Sequence, residues 1–122
     1  MRDLGARRSV RYQRALLSVQ HIVASRRVTQ FCVGISGNPA SRRQVYERWC
    51  RQNNANLDGF VLLDWGHSPD EIVRFERWLF EQTCNHPKYA NVENIKYFPN
   101  VNRRLLEQAI YVAWWSPGFC NG

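Results

Sequence analysis

Residues 28–51 read VTQFCVGI-SGNP-ASRRQVYERWCR. A β-like run, a tight polar turn and an Arg-rich run follow one another without a spacer. The first eight residues predict a strand, with Phe31, Val33 and Ile35 on one face and Cys32 and Gly34 on the other. Asn38 followed by Pro39 marks a helix start, because an Asn side chain accepts from a free first-turn N–H and Pro suits the first helical position. The helix is expected to run to about Arg51. On it Val45 and Trp49 stand four apart and suit a core, while Arg42 and Tyr46 stand four apart on a neighbouring face.

Outward from this stretch, residues 6–16 have helical character. LLSVQHIVA (16–24) reads as a strand, and SRR (25–27) as the short connection of an antiparallel hairpin with 28–35. QNNANLDG (52–59) reads as a polar loop and FVLLDW (60–65) as a central strand. SPDE (68–71) is a second helix start, with Ser68 and Glu71 able to form a capping box and Pro69 in the first position. Its helix carries Ile72, Phe75, Leu79 and Phe80 as an apolar stripe. After NHPKYANV (85–92) a last helix is expected over about 102–115, with Leu105, Leu106, Ala109, Ile110 and Ala113 on one wide face. Trp114 and Trp115 end it, packed in the core or exposed to stack on a base. The predicted layout is α-β-β-α-β-α-α: one α+β domain over 1–122 with a small three-stranded antiparallel sheet flanked by helices.

The chain has 122 residues, enough for one domain with a modest core, and its 44% apolar content argues against disorder. Its net charge is +7, and of 17 basic residues only Lys88 and Lys96 are lysine. Arginine's planar fork matches phosphate oxygens, so the bias favours a polyanionic partner; a basic surface that is merely solvated is the plain alternative. Cys32, Cys50, Cys84 and Cys120 show neither CxxC pairing nor zinc-finger spacing, and read as reduced thiols rather than a structural zinc site. No apolar run reaches the length needed to span a bilayer. The start MRDLGARRSVRYQRALL lacks a signal-peptide core, so an intracellular protein, cytoplasmic or nuclear, is expected.

Two residues depart from the pattern. Glu76 stands four after Ile72 and three before Leu79, inside the apolar stripe, where a carboxylate is costly unless paired or metal-bound. It reads as a metal ligand, a salt-bridge partner or a stripe edge reaching solvent. Arg42 sits in a first helical turn, where a cation gains nothing from the helix dipole but can share an anion with free N–H groups.

Taken together, CVGISGNPASR, SPDEIVRFERWLF and HPKYANV resemble the GIY-YIG nucleases over roughly residues 17–92. Val33, Gly34, Ser36, Asn38, Pro39 and Arg42 fall on the second half of that signature. Tyr46 falls where the family often has His or Tyr, Glu76 on its metal-binding Glu, and Asn91, offset by one residue, on its Asn. Both signature tyrosines are replaced: His21 stands where the first is expected and Cys32 where the second is. The resemblance implies a three-stranded antiparallel sheet and a single Mg²⁺ or Mn²⁺ ion held by Glu76. It implies Arg42 as phosphate clamp, and His21 and Tyr46 as acid/base or water-orienting groups in hydrolysis of DNA phosphodiesters. Arg26, Arg27, Arg43 and Asn91 would extend the DNA contact. The small chain would need a structured or branched substrate, a dimer or a recruiting protein partner. The alternative is the same scaffold with weakened or lost cleavage, acting as a nucleic-acid-binding or protein-interaction module, for example a mobile-element or phage-encoded factor.

Overall fold

The computed structural model describes residues 4–90 and 104–118. Three helices and three strands alternate along it. They are α1 (Leu4–Val23), β1 (Gln30–Ser36), α2 (Pro39–Gln52), β2 (Ala55–His67), α3 (Pro69–Thr83) and β3 (Gln108–Pro117). The sheet has the order β1-β3-β2, with both pairs antiparallel. The α+β class and the three-stranded antiparallel sheet are as expected, and the strands expected at 28–35 and 60–65 form, but the remaining strand is drawn from residues 108–117 instead of 16–24.

The helix starts behave as their sequences dictate. The Asn38 side chain accepts from the Ser41 N–H at 3.2 Å, and Pro39 follows. Ser68 accepts from the Glu71 N–H at 3.3 Å and donates to the Glu71 carboxylate at 3.0 Å. Asp70 and Glu71 place negative charge at the N-terminus of α3, where the helix dipole favours it.

Residues 16–23 are helical, not a strand. Their β-branched residues favour a strand locally, yet Ala15, Val19 and Val23 recur every fourth position and are buried together. That spacing makes one helical face, and packing against the sheet and α3 outweighs local preference. The helix end is held from afar: the Lys88 ammonium donates to the carbonyls of Val23 at 2.7 Å and Ser25 at 2.8 Å. A cation there satisfies carbonyls that the helix leaves open.

Residues 108–115 are the central strand, not the end of a helix. The apolar positions fit a helical face on paper, but Gln108 through Ala113 are buried without interruption. A strand covered on both faces reads as a continuous apolar run, which periodicity cannot separate from a buried helix. Residues 102 and 103 of the expected helix lie outside the described residues. β2 also starts earlier than expected, at Ala55, because Ala55, Asn56, Leu57 and Asp58 alternate between half-buried and exposed. Its pairing with β3 shifts register between Leu57 and Gly59, and twice more between Leu62 and His67.

Helices cover both faces. Phe31, Val33, Ile35, Ile110 and Val112 face α1 and α3, with Ile72, Phe75 and Leu79 against them. Cys32, Tyr111, Ala113 and Trp115 face α2, which contributes Tyr46 and Cys50. The outer edge of β1 is covered by the segment after α3: Phe31 donates to the Lys88 carbonyl at 3.0 Å and accepts from the Ala90 N–H at 2.8 Å. Among the described residues no helix is long and apolar enough to cross a membrane.

Candidate active site

The site is built where β1, β3 and α2 meet. Gly34 pairs with Tyr111 across β1 and β3. The Tyr111 ring lies over that glycine, so closely that a Cβ at position 34 would stand 2.6 Å from the phenol Cζ. On its other side the ring stacks on Phe60, with centroids 4.6 Å apart. Gly34 is therefore required by the close approach of a side chain, not by a turn.

From α2, Tyr46 reaches into the same place. Its hydroxyl lies 3.1 Å from the Cys32 sulfur and 3.0 Å from the Tyr111 hydroxyl. All three groups are buried. Burial disfavours the charged form of each and raises its pKa. The Cys32 thiol is pushed up to about 12, with the Tyr46 hydrogen bond partly offsetting the burial. Tyr46 is raised well above the ordinary phenol value by burial and by its neighbours Cys32 and Tyr111. Tyr111 is raised by burial and Cys32. At neutral pH the set is two phenols and a thiol, all protonated.

Two charges act on this set. The Glu76 carboxylate on α3, only 2% exposed, adds to burial in raising the pKa of both Cys32 and Tyr111. The Arg42 guanidinium in the first turn of α2 lowers both. Arg42 and Glu76 stand on α2 and α3, which cover opposite faces of the sheet, so the fold does not bring their side chains together; what they share is a field on one thiol and one phenol. Arg42 lines an open cleft of about 310 Å³ with Ser36, Asn38, Ser41, Val45 and Gln108. Among the described residues it has no acidic ion-pair partner.

Other expected site residues stand elsewhere. His21 is exposed in the last turn of α1, the helix packed on the face away from Tyr46. It is not on a strand beside Cys32, because the hairpin that would place it there does not form. Arg26 and Arg27 are exposed between α1 and β1. Arg43 is exposed and pairs with Glu47 at 3.1 Å, one helical turn on. Asn91 lies outside the described residues. Trp115 is buried and donates through its indole N–H to Gln30 at 2.9 Å, while Trp114 packs half-buried on the core. Cys32, Cys50 and Cys84 are free thiols.

The sequence reading missed Tyr111. Its signal was available in AIYVAWW (109–115), a run rich in β-branched and aromatic residues with no polar position at helical spacing. Among the described residues no three His, Cys, Asp or Glu side chains gather as a metal cage. A single carboxylate such as Glu76 suits Mg²⁺ or Mn²⁺, which take one or two carboxylates and complete their shell with waters and phosphate oxygens. It does not suit a structural zinc site.

A second polar cluster ties α1 to β2. Arg11 holds the Asp64 carboxylate by two bonds, at 2.7 and 3.0 Å, and donates to the Trp65 carbonyl at 3.1 Å. Buried His67 meets the same carboxylate at 2.9 Å.

No protein-family model, characterised protein or solved structure matches the chain.

Proposed function

We propose that the protein is a metal-dependent endonuclease of GIY-YIG type that hydrolyses DNA phosphodiesters. The observation that carries the reading is the buried contact of Tyr46 with both Cys32 and Tyr111 beside the pairing of Gly34 with Tyr111. Arg42 and Glu76 act on that set only through their fields, from helices on opposite faces of the sheet. The strand order supports it. Ala109-Ile110-Tyr111 on β3 is close to Gly-Ile-Tyr and pairs directly with the Cys32-Val33-Gly34 strand. In this reading the first motif strand comes from the C-terminal side of the chain, and Tyr111, not His21, takes the first tyrosine's place. Tyr46 brings a second phenol to Cys32 from the helix.

Arg42 holds a phosphate at the mouth of its cleft and stabilises the charge that builds on the phosphoryl oxygens. Glu76 would hold the divalent ion, which supplies charge stabilisation at the phosphate and leaving oxygen. Tyr46 and Tyr111 are kept protonated by burial, so they orient the attacking water by hydrogen bonding rather than by taking its proton. The net charge of +7 supplies attraction to DNA independent of sequence. In this reading the domain gains selectivity from a structured or branched substrate or from a recruiting partner.

The burial of Tyr46, Tyr111 and Glu76 favours a second reading: the scaffold binds nucleic acid through its arginines without cutting it. Supercoiled and branched DNA with Mg²⁺ or Mn²⁺ separate the two. Cleavage by the wild type, abolished in Glu76→Gln and Arg42→Ala, supports the enzyme. Binding without cleavage in any metal supports the module. Cleavage that survives Glu76→Gln refutes the metal assignment.

A further inference from the structure

The Tyr46 hydroxyl has one proton and two neighbours able to accept it, the Cys32 sulfur at 3.1 Å and the Tyr111 oxygen at 3.0 Å. The direction of this short chain decides what Tyr111 offers to anything it meets. A phenol is a good donor, and a thiol is a weak one. If Tyr111 donates to Tyr46 and Tyr46 donates to the sulfur, both good donors are used and only the thiol proton is spare. The reverse order spends the weak donor and leaves a buried phenol proton without a place among the three groups, which costs more.

We infer that Cys32 is a positioning residue: as the terminal acceptor it fixes the chain Tyr111→Tyr46→Cys32, so that Tyr111 turns its proton inward and presents oxygen lone pairs to the site. In the nuclease reading, on which the catalytic consequence rests, Tyr111 then accepts a hydrogen bond from the water whose lone pair forms the new P–O bond; as the bond to the leaving oxygen breaks, the water's proton passes through solvent to that oxygen. Small size is part of the role. The sulfur sits where the Tyr46 hydroxyl arrives from α2, and a larger residue at 32 would displace it.

The test reads the chain with and without DNA. The Raman doublet of a tyrosine ring responds to whether its hydroxyl donates or accepts, and the difference between wild type and Tyr111→Phe isolates the Tyr111 signal. Wild type should give a donor signature. Cys32→Val fills the volume without offering an acceptor, so the Tyr46 proton turns to Tyr111 and the signature moves toward acceptor. Cys32→Ser restores an acceptor and should return the wild-type signal. In cleavage assays Cys32→Val should lower kcat about three- to tenfold, the worth of one neutral hydrogen bond, with KM unchanged and with rescue by Cys32→Ser. An unchanged Raman signature in Cys32→Val overturns the inference. So does a change that persists when Tyr46 is also Phe, because Cys32 would then not act through Tyr46. A Raman change in a protein that cuts no DNA upholds the chain and refutes the nuclease reading. Cleavage with a constant signature does the opposite.

Discussion

Gly34→Ala tests the geometry of the site most directly. The added methyl would stand 2.6 Å from Cζ of Tyr111 and 3.1 Å from Cε1. The ring cannot retreat freely, because Phe60 stacks on it at 4.6 Å. Overpacking a tight site costs about 1–3 kcal/mol. Replacing glycine in a strand returns about 0.5–1 kcal/mol through lower unfolded-state entropy. The net is a loss of up to about 2.5 kcal/mol, centred near about 1 kcal/mol, and for a domain of this size a fall in Tm centred near roughly 5 °C. Thermal melts of Gly34→Ala, Tyr111→Leu and the double variant measure it. In the Tyr111→Leu background the alanine should cost almost nothing or stabilise, since the ring it strikes is gone. A Gly34→Ala protein as stable as wild type would refute the placement of Tyr111 over Gly34, and with it the triangle of hydroxyls and thiol.

Asp64 supplies a pH dependence. Burial alone would raise its pKa, but the hydrogen bonds from Arg11 and His67 outweigh that and hold it below the ordinary value. A depressed folded-state pKa contributes stability above the unfolded value and loses it as pH falls through the folded one. Stability should therefore drop below about pH 4, with a shallower drop in Asp64→Asn, read by urea melts across pH 2–6; equal slopes would remove the assignment. Lys88→Met removes the cation that holds the end of α1 and should cost about 1 kcal/mol, with lower helix content by circular dichroism if the end frays. The buried Cys32, its thiol held up to about 12, should resist alkylation at pH 8 in the native protein while half-buried Cys84 reacts; peptide mapping distinguishes them, and rapid labelling of Cys32 would contradict its burial. Arg42→Ala should weaken DNA binding and reduce the salt slope by about one ion, whereas Arg43→Ala, whose side chain already engages Glu47, should alter the slope less.

The helix starts at Asn38-Pro39 and Ser68-Pro69 were legible because capping is a local interaction, complete within four residues. The strand Gln30–Ser36 was legible through its bounding turn. Val19, Ile22 and Val23 were misleading because β-branched residues carry a local preference for strand that a buried helical face can override. Ala109–Ala113 misled for the opposite reason: a strand covered on both faces has no alternation to reveal it. Each miss moved the site. Losing a strand at 16–24 left His21 on an exposed helix, and gaining one at 108–117 placed Tyr111 beside Cys32 and Tyr46.

The sequence by itself singled out Arg42 on a capped helix and Glu76 in an apolar stripe where a carboxylate is conspicuous. It also determined the class of the domain. Only the tertiary structure decided which segment would be the central strand, and therefore which phenol faces the thiol of Cys32. That choice depends on covering both faces of β3 at once. Such burial is a property of three helices and two neighbouring strands together, and no window of the sequence contains it.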